Sequence, residues 1–259
     1  KIIGYYKSWE AHIFPPENVD INTYTHINYA FLGINEDGSI RFEGSEDVVR
    51  RLSYLKGRNS RLKVLFSIGG WNEGSRKFSL VAADANKTLR FANDVVSYLN
   101  KYNFDGVDVD WEYPGENGGC PADKNNFVNL LTTLRKELNR NGSYLLTIAV
   151  SPLADPNSYD IPAISRVVDC IKVMTYDFHQ AAEGKTGQNA PLYASSMDSD
   201  WQRQNCNCHA GINKWISGGA PSTKVILGLA FYGQEYNLTT RANGLGAPTS
   251  TTGGQITYK

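Results

Sequence analysis

The 259-residue sequence predicts an α/β fold built on a parallel sheet. Short β-branched and aromatic runs alternate with longer amphipathic stretches along most of the chain. Most of the short runs are continuously apolar, as strands covered on both faces are. The length also suffices for one large core. Such alternation fits an α/β barrel or an open parallel sheet.

Seven strands are expected, at residues 2–6, 26–31, 63–68, 104–110, 145–150, 171–176 and 225–229. Helices are expected between them. Val48, Leu52 and Leu55 mark a short one. Leu89, Ala92, Val95, Val96 and Leu99 repeat at helical spacing, and so do Phe127, Leu130, Leu131, Leu134 and Leu138. Ile212, Trp215 and Ile216 mark the last. The stretches 177–207 and 234–259 are polar and rich in Gly, Ser and Thr, and read as long irregular loops.

Lys plus Arg equals Asp plus Glu, at 26 each, and no basic run is present, which argues against a nucleic-acid partner. No apolar run approaches the roughly 20 residues that span a bilayer, which argues against a membrane partner. Fifteen Tyr, ten Phe and five Trp suit both a packed core and stacking on sugar rings. The chain starts at Lys1 without Met, which reads as a mature or trimmed product. Three glycosylation sequons, at Asn86-Lys87-Thr88, Asn141-Gly142-Ser143 and Asn237-Leu238-Thr239, favour secretion. Cys120, Cys170, Cys206 and Cys208 could pair in an oxidising compartment, with connectivity left open. Cys206, Cys208 and His209 lack a partner cluster at ligand spacing, so no metal is expected.

The most informative stretch runs from Phe104 to Pro114. Asp108, Asp110 and Glu112 alternate with Val107, Val109 and Trp111, which places the three acids on one side of a strand. Stacked carboxylates repel one another, and burial makes the repulsion worse. A fold tolerates that where acid–base chemistry needs it. The acids lie toward the C-terminal end of the fourth strand, where a barrel carries its active site. Other strands run into Ser67-Ile68-Gly69-Gly70-Trp71, Met174-Thr175-Tyr176-Asp177 and Phe231-Tyr232-Gly233, so several deliver aromatic and acidic groups to one rim.

Asp105-x-x-Asp108-x-Asp110-x-Glu112, followed by Tyr113-Pro114, resembles the signature of glycoside hydrolase family 18, the chitinases and chitinase-like proteins. The two other motifs resemble those of the same family, in the same order. Asp123-Lys124-x-Asn126-Phe127 and the run from Gly244 to Gly254 are similar to its animal-type branch. That resemblance implies a (β/α)8 TIM barrel with an α+β insertion after strand seven. Residues 1–233 would hold barrel strands one to seven, and 234–259 the start of the insertion. The rest of the insertion, the eighth strand and its Trp do not occur in the sequence, so the C-terminal part of the barrel is expected to be incomplete here. Residues 1–259 alone are then not expected to be a competent enzyme.

The resemblance implies a chitinase that cleaves β-1,4-linked N-acetylglucosamine with retention, through substrate assistance. Glu112 would protonate the glycosidic oxygen, and the substrate's own acetamido oxygen would attack to give an oxazolinium ion. Asp110 would bind the acetamido N–H, with Asp108 one step deeper and sharing a proton with it. Asp105 reads as a structural support. Tyr176 would donate to the acetamido oxygen, with Asp177 its polar neighbour and Met174 a pocket residue beneath the sugar. Trp71 would be a stacking platform, and Tyr5, Phe31 and Tyr232 would line the cleft. No cofactor is implied. Chitin or chitooligosaccharides would be the partner of a secreted, monomeric protein. A chitin-binding lectin-like protein usually lacks the acid, which is present here. An endo-β-N-acetylglucosaminidase fits the Trp71 and Met174-to-Asp177 motifs less well. Two positions depart from the branch: Gln234 stands where Arg is common, and Ala182 where Trp is common. Both changes would weaken sugar contacts without touching the acid.

Overall fold

A computed structural model describes residues 1–257. The chain divides into two compact units, Lys1–Val150 with Asp155–Ile171, and Ser151–Ala154 with the residues from Lys172 onward.

In the first unit, β1 (Ile3–Lys7), β2 (His26–Ile34), β4 (Lys63–Gly69), β5 (Gly106–Asp110) and β6 (Leu145–Val150) pair side by side, all parallel. The two-residue β3 (Ile40–Arg41) adds antiparallel to the end of β2. Between the strands lie α1 (Glu46–Arg58), α2 (Arg76–Ala82), α3 (Ala85–Tyr102), α4 (Asp123–Asn141) and α5 (Ile161–Val167). Every residue of β5 is buried, because helices cover one side and other strands' side chains fill the other.

Helix α3 starts where the Asp84 carboxylate accepts the amides of Asn86 and Lys87, and stops where Asn103 turns left-handed at φ 54°. Its buried face is Phe91, Ala92, Val95, Val96 and Leu99; Leu89, expected on that face, is exposed. The fourth strand starts at Gly106 rather than 104. The Asp105 carboxylate accepts the Val64 amide at 2.8 Å and lies 3.2 Å from Lys56 and 3.4 Å from Lys63. That is the supporting role expected of it.

The second unit takes over inside β7 (Cys170–Val173), after Ile171. The expected sixth strand thus ends at Val173, which places Met174, Thr175 and Tyr176 beyond it. The Gly228 amide donates to Val173, and the Thr175 hydroxyl to Gly228, which holds β8 (Val225–Leu227) beside β7. The stretch expected as loop at 177–207 carries a 3-10 turn at Ala181–Glu183 and the helix α6 (Asp200–Asn205). Ser199 and Gln202 cap α6 reciprocally, a spacing visible in the sequence. Helix α7 (Cys208–Ser217) follows, with Trp215 fully buried and its indole N–H on the Ser151 carbonyl.

The stretch from 234 onward is likewise not an irregular loop. β9 (Tyr232–Leu238) and β10 (Thr249–Thr257) form an antiparallel hairpin. Their polar residues give no apolar run because most of them are exposed. Gly253 is required there: a Cβ would fall 2.2 Å from the Glu235 carbonyl oxygen.

All four cysteines are free thiols in this structure. Cys206 and Cys208 pack with Phe178, while His209 lies against Tyr193 and reaches Asn213. Burial, reinforced by Glu183 and Asp198, pushes the Cys206 thiol up to about 11. Two outcomes follow from this packing. Asp105→Ala should cost about 2 kcal/mol in urea unfolding, because charged hydrogen bonds at a strand end are lost. Cys206 should resist a thiol reagent at about pH 8 in the native protein and react after unfolding, as read by mass spectrometry of labelled peptides.

Candidate active site

The site in the first unit is built around Asp108, which has no exposed surface. Its Oδ2 accepts the Tyr5 hydroxyl at 2.7 Å, the Ser67 hydroxyl at 2.9 Å and the Asn28 amide at 3.1 Å. Its Oδ1 accepts the Thr147 hydroxyl at 2.8 Å. The four donors come from β1, β4, β2 and β6. Ser67 and Thr147 are its direct cross-strand partners. Inward-pointing polar residues on neighbouring strands thus converge on one carboxylate. An isolated buried carboxylate would be expensive, and four donors answer most of its lone pairs. Asn28, Ser67 and Thr147 were not singled out from sequence. A lone polar residue inside each apolar strand was the available signal.

Asp110 is the last residue of β5 and is buried. Its carbonyl accepts the Gly70 amide at 2.9 Å. That close approach needs the preceding glycine. Gly69 has φ 113°, and a Cβ there would sit 2.1 Å from the Asp110 oxygen. Glu112 stands two residues past the strand, half-buried, so the acids are not all on one strand as the alternation suggested. Between them, Trp111 turns into the core, stacked on Phe78 and edge-on to Phe127. The peptide bonds Ala30–Phe31 and Glu112–Tyr113 are cis.

The loop carrying Glu112 is held from behind. Buried Ser75 accepts the Trp111 indole N–H and donates to the Tyr113 carbonyl at 2.7 Å. Buried Asp123 accepts the amides of Cys120 at 2.7 Å and Gly115 at 3.2 Å, and the Ser79 hydroxyl at 2.7 Å. Burial, then the Glu112 carboxylate, drives the Tyr113 phenol far above its usual range, so it stays protonated.

Aromatic rings gather beside these acids. Trp71 is 66% exposed, just past the two glycines. Tyr5 is partly exposed and lies 6.3 Å from Phe31, whose ring also lies 6.3 Å from Trp9, at 18° between planes. Trp9, 56% exposed, had no motif to mark it; its signal was a Trp two residues past a strand end.

The second unit brings Tyr176, Asp177 and Tyr232 together. Met174 is buried and Tyr176 half-buried. The Tyr176 and Tyr232 rings meet edge to face at 6.1 Å. The Tyr232 hydroxyl donates to Asp177 Oδ2 at 2.7 Å, and the Gln234 amide to Oδ1 at 2.7 Å. Asp177 has φ 57°, an unusual conformation for a residue with a side chain. Asn189 secures it: its Oδ1 accepts the Asp177 amide at 3.0 Å, its Nδ2 donates to the Tyr232 carbonyl at 3.0 Å, and its own carbonyl accepts the Phe178 amide at 3.1 Å.

The first-unit arrangement gives two expected outcomes. Asp108→Ala leaves Tyr5, Asn28, Ser67 and Thr147 without their shared acceptor, and should cost about 3 kcal/mol or more in denaturant unfolding. Gly69→Ala should lose about 2 kcal/mol or more, since both φ and the Asp110 carbonyl oppose a methyl group; thermal melting reads it.

The family model for "Glycosyl hydrolases family 18" matches residues 1–259. The chain is 35% identical to mouse (Mus musculus) chitotriosidase-1 over 274 aligned residues, covering 100% of this chain and 59% of that protein. It spans about half the length of the curated relatives it matches. Among solved structures, the Ostrinia furnacalis Group IV chitinase in complex with allosamidin matches with a TM-score of 0.94 at 34% identity, over 100% of this chain and 76% of that one. Human YKL-39, described as a pseudo-chitinase with retained chitooligosaccharide binding, matches with a TM-score of 0.88 at 29% identity, over 96% and 71%. The acid series, the glycine-bounded Trp71 and these matches lead to one conclusion: the chain belongs to glycosyl hydrolases family 18.

Proposed function

We propose that this chain carries the catalytic residues of a chitinase, which hydrolyses β-1,4-linked N-acetylglucosamine polymers with retention. The observation that carries the reading is Glu112, placed just past a strand whose two acids are buried. Glu112 donates its proton to the glycosidic oxygen as the bond breaks. The acetamido oxygen of the substrate closes on the anomeric carbon. Water then opens the oxazolinium ion, with Glu112 taking the proton back as base. Asp110 receives the acetamido N–H and balances positive charge on the ring. Asp108 braces Asp110 from beneath. Tyr176 donates to the acetamido oxygen. Asp177, Met174, Tyr5, Phe31 and Tyr232 shape the cleft, and Trp71 stacks on a sugar face. Residues 1–233 supply the barrel part, and 234–259 the start of an insertion.

The three sequons support a secreted glycoprotein, acting as a monomer on chitin or chitooligosaccharides. Balanced charge supports neither nucleic acid nor a membrane surface as partner. Among the described residues no helix is long and apolar enough to cross a membrane.

Glu112→Gln in the full-length protein should lower chitooligosaccharide turnover by about three orders of magnitude or more, with binding kept, since one group serves as acid and base. A fluorogenic oligomer reads turnover and calorimetry reads binding. Retention of more than about a tenth of the wild-type rate overturns the assignment. A wild-type protein that binds without turnover is instead the lectin-like alternative. Substrate assistance further requires that cellulose oligomers, which lack the acetamido group, be left intact; cleavage of both at similar rates would exclude it.

A further inference from the structure

We propose that Ser75 and Asn117 are positioning residues for the acid Glu112, and that between them they tie the residue before it, the acid itself and the residue after it; this rests on the chitinase reading above. Ser75 stands at the N-cap of α2, where a serine hydroxyl ordinarily accepts an amide of the first helical turn. Here it makes no such bond. Its oxygen accepts the Trp111 indole N–H instead, and its proton goes to the Tyr113 carbonyl at 2.7 Å. A hydroxyl has one proton to give, so its donor is fully committed to the loop. Leaving a helix start without its cap costs about 1 kcal/mol. A completely buried serine directed this way serves the Glu112 loop and not its own helix.

Asn117 supplies the remaining tie. It sits at φ 48°, a left-handed turn that Asn tolerates. From there its side-chain amide donates to the Glu112 carbonyl at 3.2 Å, and its own carbonyl accepts the Ser75 amide at 3.4 Å. Ser75 and Asn117 therefore hold each other as well as the acid. The loop closes so tightly on this pair that a Cβ at Gly119 would fall 2.9 Å from the Ser75 hydroxyl oxygen. Glu112 lies outside any helix or strand, so no backbone ladder sets its place. Side-chain bonds to residues 111, 112 and 113 do so instead. A general acid must come within about 3 Å of the atom it protonates. A displacement of about 1 Å can lower the rate roughly a hundredfold, while substrate binding is carried by other groups. Loosening these ties is therefore expected to act on turnover and not on affinity.

The test uses the full-length protein and a fluorogenic chitooligosaccharide. Thermal melting reports folding, and calorimetric titration with a thiazoline mimic of the oxazolinium ion counts competent sites. Ser75→Ala should lower kcat by about thirtyfold and Asn117→Gly by about fivefold. In both, KM should stay within about twofold of wild type and the site count should be unchanged. Glycine accepts the φ of residue 117, and the side chain removed is exposed, so the second variant keeps the fold. A role in stability alone would lower the site count and leave kcat per site as it was; that result overturns the inference. So do two folded variants with kcat within about twofold of wild type. If Ser75→Ala does not fold, Asn117→Gly decides by the same criteria. A wild-type protein without turnover overturns the chitinase reading, and this inference with it.

Discussion

A single buried charge organises the first unit. Asp108 has no exposed surface, yet its carboxylate is satisfied by donors from four other strands. Each of those strands must present a polar side chain at one level, and the parallel register supplies it. Ser67 and Thr147 face Asp108 across the ladders, while Tyr5 is level with Asn28. A slip of one residue on any of these strands would turn its donor away and leave a polar group among apolar side chains. The charge thus specifies strand register as much as it serves the site.

From that anchor the chain is led outward in steps. Asp110 ends the strand and offers its carbonyl to Gly70, which fixes the turn before Trp71. Trp111 fills the core behind the strand, stacked on Phe78 and edge-on to Phe127. Ser75 and Asp123 then hold the loop beyond. Glu112 needs no regular element of its own, because the residues on both sides of it are tied to buried groups. In the second unit the same logic acts on Asp177. Its positive φ is kept by Asn189, twelve residues on, and its carboxylate by Tyr232 and Gln234.

Much of the site was legible because its chemistry is local in the chain. Alternation within one strand located Asp108 and Asp110, although it carried Glu112 along the same strand, which ends at Asp110. Two glycines announced an exposed Trp71, and Asp105 read as a support. Trp9 was not legible, since one aromatic residue after a strand looks the same in a core as at a rim. The bracing roles of Ser75, Asp123 and Asn189 were missed for a similar reason: a Ser or an Asn in a loop, or an Asp at the start of a helix, declares nothing until its distant partner is known.

The sequence by itself determined the alternation of strands and helices, the acid series and its place at a strand end, because these depend on periods of two and 3.6 residues within short windows. It misread 177–207 and the stretch from 234 as irregular. Exposed polar strands and short capped helices lack the apolar periodicity that marks buried ones. Only the tertiary structure decided which side chains satisfy Asp108, what holds the Glu112 loop and what surrounds Asp177. Those bonds join residues 41, 80 and 103 positions apart in the chain, and the pairing of a buried charge is settled by whichever donors the packed strands bring within about 3 Å of it.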